Sequence, residues 1–398
     1  SLAIGANTLT LTGGTGASDE GTFDNANAIT LSTGTLDIDN NVEIDGNITI
    51  SDDATFDIAS GKTLDYDGDQ IDIGDNALSI IGGGTITNAN NITLSHANSL
   101  LNIKTNASAT IAKVSTSANV TGTSKGVDID VNATITTLTV SHTCPVLIKT
   151  GVTLSGSVSI KAGKVNLTET GTLAADLEFT GDTSATNCTL DVDVDVTMSG
   201  DLSVAGTGTV CILDVANGKT LTYSGAAFAL STYTLRLTGG TGANDEGTLT
   251  NTNALTFSTG TLDVDNNFEI DGPITISDNA IIDVAANKTL DYDGASLAIG
   301  TNTLTIYGAG TIDHANAITI TGGDASAGTP TGGEINMKSA AAGADGSGTA
   351  EIGTITISGT ATIANQINRI TTKTTNGTIG NITATASDTA ANCNTLAT

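Results

Sequence analysis

The sequence predicts an all-β protein built as a single-stranded parallel β-solenoid, with three-sided rungs of about 21 residues. Three observations carry that prediction: a long internal duplication, apolar residues that alternate in pairs, and corner residues between the pairs. Residues 2–94 recur at 228–320 with a constant offset of 226 and no gap. Between Thr12–Gly68 and Thr238–Gly294, 42 of 57 positions are identical, and the exchanges are mostly Ile/Val/Leu/Phe swaps or small polar exchanges that preserve a stacking unit.

The pairs are Leu36/Ile38, Val42/Ile44, Ile48/Ile50, Phe56/Ile58, Leu64/Tyr66, Ile71/Ile73 and Leu78/Ile80, then a lone Ile86 and Ile92/Leu94. Alternation at period two marks strands with one buried and one solvated face. The pairs start about every seven residues, too close for hairpins of ordinary length. They suit the sides of a coil, three to a rung.

A finer match supports the count. GTFDNANAITL (21–31) returns as GTITNANNITL (84–94), an offset of 63, or three rungs. TGASDE (15–20) reads as an insertion in that rhythm. Between the pairs stand Asn40-Asn41, Asp45-Gly46, Asp52-Asp53, Ser60-Gly61, Asp67-Gly68 and Gly82-Gly83-Gly84, residues that tolerate left-handed or tight corners. Three prolines in 398 residues suit a chain whose backbone N–H groups serve ladders.

The middle, 95–227, keeps the rhythm with diverged sequence, for example Val127/Ile129, Leu138/Val140, Val146/Ile148, Val152/Leu154 and Val165/Leu167. Residues 1–320 therefore read as one continuous solenoid of about fifteen rungs. Residues 321–350, rich in Gly, Ala and Ser, read as a loop or linker, 351–384 as further strands, and 385–398 as a tail.

Composition bounds the function. Aromatics are 3% and Trp is absent, which points to a narrow core of small aliphatics rather than a broad globular one. The net charge of -29 excludes nucleic acid and anionic membrane surfaces as expected partners. No apolar run is long enough to insert into a membrane.

Repeat character such as TLDIDNNVEIDGNITI, over about residues 1–320, resembles the β-helical repeat regions of bacterial surface proteins: filamentous-haemagglutinin-like adhesins, autotransporter passengers and extracellular filament or S-layer-associated repeats. The resemblance implies a right-handed β-helix at a cell surface, and it transfers no site residues. It leads to the expectation of an extracellular structural protein, a subunit of a cell-surface filament or matrix assembled head to tail with copies of itself. The alternatives are an adhesin stalk that presents a surface for cell-surface glycans and, third, a polysaccharide-active β-helix enzyme. Catalysis is not expected. There are only two arginines, Arg236 and Arg369, the histidines His96, His142 and His314 are scattered, and the repeated blocks contain no local break where a unique site would sit.

Three sets of residues are candidates for more than scaffolding. The acidic run Asp65, Asp67, Asp69, Asp72 is dense enough to hold calcium, because stacked like charges repel unless a cation bridges them. The rival reading is a solvated acidic face, and no cofactor is required for the fold. Cys188 and Cys211 lie 23 apart, close to one rung, at the spacing of a disulfide between stacked strands. The rival is two buried thiols, and Cys144 and Cys393 have no partner at rung spacing. Strand pattern begins at Leu2, and SLAIGANTLTL (1–11) is closer to SLAIGTNTLTI (296–306) than to its offset partner. The start thus reads as mid-solenoid sequence. Either the chain is a piece of a longer repeat protein, or Ser1 and Leu2, helped by Cys393 in the tail, form an assembly end.

Overall fold

The computed structural model describes residues 2–13, 20–104, 109–181, 187–205, 210–239, 245–295, 297–300, 302–308, 310–314, 318–321, 334–337, 350–358 and 377–384. Every regular element among them is a β-strand, and no helix is long and apolar enough to cross a membrane. The chain divides into two compact units: Ser1–Asp201 with Ala205–Thr207, and Leu202–Val204 with Gly208–Thr398. Each is a parallel β-solenoid. The described strands make about 12 turns of about 23 residues.

Three sides recur in each turn. In unit 1, side 1 carries Thr8–Leu11, Thr35–Ile38, Ala54–Ile58 and Ala77–Ile81, stacked in that order. Side 2 carries Glu20–Phe23, Asn41–Ile44, Thr63–Tyr66 and Thr85–Asn88. Side 3 carries Leu2–Gly5, Ile29–Leu31 and Ile48–Ile50. In the diverged middle, Ala109–Thr116, Ala133–Val140 and Thr153–Ile160 run across sides 2 and 3 as single strands.

Unit 2 repeats the arrangement with the register of the duplication. Thr35 pairs with Thr55 and Thr261 with Ile281; Val42 pairs with Leu64 and Phe268 with Leu290; Ile29 pairs with Ile48 and Leu255 with Ile274. Every apolar pair read in block 2–94 is buried. In the middle, Val152 is half-buried and precedes its strand, which starts at Thr153.

Two expectations about spacing need correction. The rungs are uneven, with 20 residues from Thr35 to its partner Thr55 and 27 from Thr8 to its partner Thr35. Corners of different length absorb the difference, so fewer and longer turns form than an even 21-residue rung would give. The 63-residue match is not the stacking register either. Thr22 stacks on Glu43, Glu43 on Asp65 and Asp65 on Thr87, whereas the sequence match aligns Thr22 with Thr85. The slip is two residues, which keeps each side chain on its own face of the strand.

Corner side chains link one rung to the next. Asn41 Oδ1 accepts the N–H of Thr63 at 3.1 Å, and Asn267 Oδ1 that of Thr289 at 3.0 Å. Asp53 Oδ1 accepts from Ala77 N at 2.7 Å, and Asn279 Oδ1 from Thr303 N at 2.8 Å. These bonds occupy backbone donors at the places where the ladders are interrupted. Three buried tyrosines do the same between sides 2 and 3. The hydroxyls of Tyr66, Tyr292 and Tyr223 accept from Ile48 N, Ile274 N and Leu202 N, each at 3.1 Å. At the same corner, Gly46 and Gly272 have no room for a side chain. A Cβ there would stand 2.1 Å from the carbonyl oxygen of Asn25 or of Asn251.

Within 321–350, Glu334–Met337 is a strand that pairs with Thr303–Gly308. Ala350–Ser358 and Gly377–Ala384 pair with each other, as the renewed rhythm in 351–384 predicts. The 385–398 tail lies outside the described residues.

Candidate functional site

The geometry most capable of chemistry is an acidic ladder on the outward face of side 2. The strand Asn41–Ile44 turns Glu43 outward, and Asp45 follows at the corner. One rung on, Thr63–Tyr66 turns Asp65 outward and Asp67 follows. Carboxylate oxygens of Glu43, Asp45 and Asp67 all lie within 4.8 Å of one another. Unit 2 has the same trio, Glu269, Asp271 and Asp293, at the duplication offset. Either trio supplies the oxygen donors that a hard divalent cation takes, and equally forms a hydrated acidic surface without one.

Like charges raise the affinity of these groups for protons. Asp45, although exposed, has its carboxyl held above the usual range, by lost hydration and then by Glu43, Asp24 and Asp67. At Glu269 the Thr248 hydroxyl favours the ionised form, but lost hydration and the neighbouring Asp271 and Glu246 outweigh it and push the carboxyl up. Asp291 is pushed up to about 6 by lost hydration, then by Asp293, Asp313, Glu246 and Glu269.

The four residues predicted from the acidic run do not converge. Asp65 accepts the Thr87 hydroxyl at 2.8 Å. Asp69 is held by Asn47, whose Nδ2 donates to it at 2.8 Å and whose Oδ1 accepts its N–H at 2.9 Å. Asp72, on side 3, accepts Gly74 N at 2.9 Å and the Ser95 hydroxyl. Among the described residues, only Asp67 of the four joins a carboxylate cluster. Its partners Glu43 and Asp45, themselves outward acidic residues in the sequence, do not group with it by sequence because they lie a rung away. The separation of about 22 residues between Asp45 and Asp67 was the available signal.

Side 1 has a second acidic column. In unit 1, Thr10, Asp37 and Asp57 stack, and the Thr10 hydroxyl donates to Asp37 at 3.1 Å. Asp57 is pushed up by lost hydration, then by Asp37 and Asp39. In unit 2 the equivalent column is Arg236, Asp263 and Asp283, and Arg236 Nε reaches Asp263 at 2.9 Å and Asp265 at 3.0 Å.

Cys144, Cys188 and Cys211 are each buried thiols, so the disulfide expected of Cys188 and Cys211 is not formed. Cys188 and Cys211 are inward positions filled as small core residues, and Cys188 Sγ lies 3.4 Å from the Lys161 carbonyl. Burial pushes the Cys144 thiol up to about 12, far from a reactive thiolate. Of the expected assembly residues, Leu2 is 43% exposed on the strand paired with Ile29–Leu31. Ser1 and Cys393 lie outside the described residues.

No family model, curated protein or solved structure matches this chain.

Proposed function

We propose that the chain is an extracellular structural protein, a building block of a cell-surface filament or matrix in which β-solenoids stack end to end. One observation carries this reading: rungs of unlike sequence stack edge to edge in parallel register, so a rung edge of this fold is a docking face for another rung. In unit 2, Thr234–Thr238 and Glu246–Asn251 pair on one edge with Val210–Val215 and Thr220–Tyr223, and on the other with Thr261–Val264 and Asn267–Ile270. Leu235, Leu237 and Leu249 are then 2%, 0% and 1% exposed.

The rungs stacked on either edge of Thr234–Thr238 share the inward apolar pattern rather than one sequence, so an edge accepts a rung by strand spacing and apolar fit. It fits a further rung of the same chain or of a neighbouring subunit equally well. A net charge of -29 opposes side-by-side association, which leaves the apolar rung faces as the favoured contact. A protein with this surface is not expected to be an enzyme.

The test is sedimentation velocity over a hundredfold concentration range, with negative-stain imaging. Linear assemblies longer than one chain are expected. Rods of constant single-chain length at all concentrations would overturn the proposal.

A further inference from the structure

Outward positions on side 1 of unit 1 include side chains that are not exposed. Along Leu100–Ile103, Cys144–Ile148 and Asn187–Val192, Asn102, Leu147 and Asp191 alternate with the inward aliphatics, yet they are 6%, 8% and 5% exposed. Asn102 on one rung is the register partner of Asp128 on the next, in Gly126–Ile129. Neighbouring strands lie about 4.8 Å apart, so the two side chains are adjacent on one face. Oδ1 of Asn102 and Oδ1 of Asp128 are both buried, and neither accepts a hydrogen bond among the described residues. Two buried acceptors side by side without a donor are not a stable arrangement by themselves.

The charge around them is unbalanced in the same sense. Asp130 and Glu169 act on Asp128 as like charges, the side chains of Asp128 and Asp130 hydrogen-bond each other, and among the described residues Lys149 is the cation acting on Asp128, already paired with Asp130 Oδ1. Three carboxyl groups against one ammonium leave an excess of negative charge. A hard divalent cation meets both requirements, because it takes amide and carboxylate oxygens together and carries the missing charge.

We propose that Asn102 and Asp128 bind a divalent cation of the calcium class on side 1 of unit 1, with Asp130 as the adjoining carboxylate and Lys149 as the competing charge. The site is distinct from the Glu43 and Glu269 trios on side 2, where every ligand is a carboxylate and none is a nine-tenths-buried amide.

The test is calorimetric titration of the full chain with calcium chloride after chelator treatment, followed by thermal melts with and without the ion. The variants are Asn102→Ala, Asp128→Asn, Lys149→Ala and, as a control for the trios, Glu43→Gln combined with Glu269→Gln. The parent and the trio control are expected to share one binding equivalent and a calcium-dependent rise in melting temperature. Asn102→Ala and Asp128→Asn should lose both, and Lys149→Ala should bind several-fold tighter. Asn102→Ala removes an unpaired buried acceptor, so without calcium it should melt no lower than the parent, which separates loss of the site from loss of the fold. The proposal is overturned if the parent binds no calcium, if Asn102→Ala and Asp128→Asn keep the equivalent, or if the trio control alone loses it. Each of those results would assign the paired oxygens to a water molecule or a proton.

Discussion

Thr10 and Arg236 occupy the same place in the two copies of the duplicated block, each beside a column of aspartates. In unit 1 the hydroxyl of Thr10 gives one hydrogen bond to Asp37, and the crowding persists at Asp57, whose carboxyl is pushed up by lost hydration, Asp37 and Asp39. In unit 2 the guanidinium of Arg236 takes both Asp263 and Asp265. The inward residues of the two copies differ mostly by apolar swaps such as Phe56 for Ile282 or Val42 for Phe268, and all four are buried. The scaffold is held constant while the outward column is free to vary. Two stacked carboxylates repel and a single opposite charge relieves them, so the units should differ in response to salt and pH while sharing one packing.

The largest expected effect lies where the units are the same. Gly46→Ala and Gly272→Ala each force a Cβ against a carbonyl oxygen at a corner that cannot open without displacing a rung. Each should cost about 2 to 3 kcal/mol. Limited proteolysis with mass mapping should place the new cleavage in the unit that carries the change. Cleavage shared equally by both units would show that the corners are not equivalent in the way the duplication implies.

Exchanging the outward residues comes next. Arg236→Thr removes two charge-assisted contacts from a half-buried position and should destabilise unit 2 by about 1 kcal/mol; Thr10→Arg should stabilise unit 1 by about half as much. Urea titrations at low and at molar salt check both. Because the term is electrostatic, both effects should shrink in high salt, and a salt-independent loss in Arg236→Thr would assign the role of Arg236 to packing instead.

The side 2 ladders give a pH-dependent version of the same contrast. Unit 2 continues Glu269 and Asp291 with Asp313, where unit 1 follows Glu43 and Asp65 with Thr87, a donor to Asp65. Asp291 is raised from 3.8 to about 6, so the folded form holds its proton more tightly than the unfolded chain. The associated stability is complete below about pH 3.8 and is lost as the pH rises through about 6. Asp291→Asn and Asp313→Thr should therefore raise stability at pH 7, each by less than 1 kcal/mol after solvent screening, with the gain fading as the pH falls to about 4. Melting curves from pH 4 to 7 would show it. A gain independent of pH would mean that charge crowding is not its origin.

Most of this fold was legible because its core is written at the shortest possible period. Leu36/Ile38 and Phe56/Ile58 declare an inward face without reference to any other part of the chain. The trio Glu43, Asp45 and Asp67 was not legible, because it depends on register between rungs whose lengths run from 20 to 27 residues. An average spacing of seven residues per side cannot resolve such a register. Tyr66 reads as an inward apolar residue, and only the stacked structure shows its hydroxyl bound to Ile48 of the neighbouring side. The pair Asn102 and Asp128 was hidden for the same reason, since alternation predicts outward residues but not that they are buried. Likewise Thr8, Thr35 and Thr55 form a column, as do Thr63, Thr85, Thr110 and Thr134, although the sequence period does not reveal either.

The smallest expected difference sits at one corner of the duplication, where Gly61 in unit 1 is replaced by Asn287 in unit 2. Both backbones are left-handed, with φ of +73° at Gly61 and 60° at Asn287. Glycine adopts that region without steric cost, and asparagine is the side chain that tolerates it best. The same corner thus trades a little folded-state strain against the greater unfolded-state entropy of glycine, and the two terms oppose each other. Gly61→Asn and Asn287→Gly should each change stability by only about 0.5 kcal/mol. Gly61→Ala should cost more than Gly61→Asn even though nothing crowds the position, because alanine lacks the local polar contacts that make the left-handed region accessible. If alanine and asparagine proved equal at residue 61 in urea titrations, backbone conformation would not be what restricts this corner, and the Gly61–Asn287 exchange would be neutral drift at an open surface.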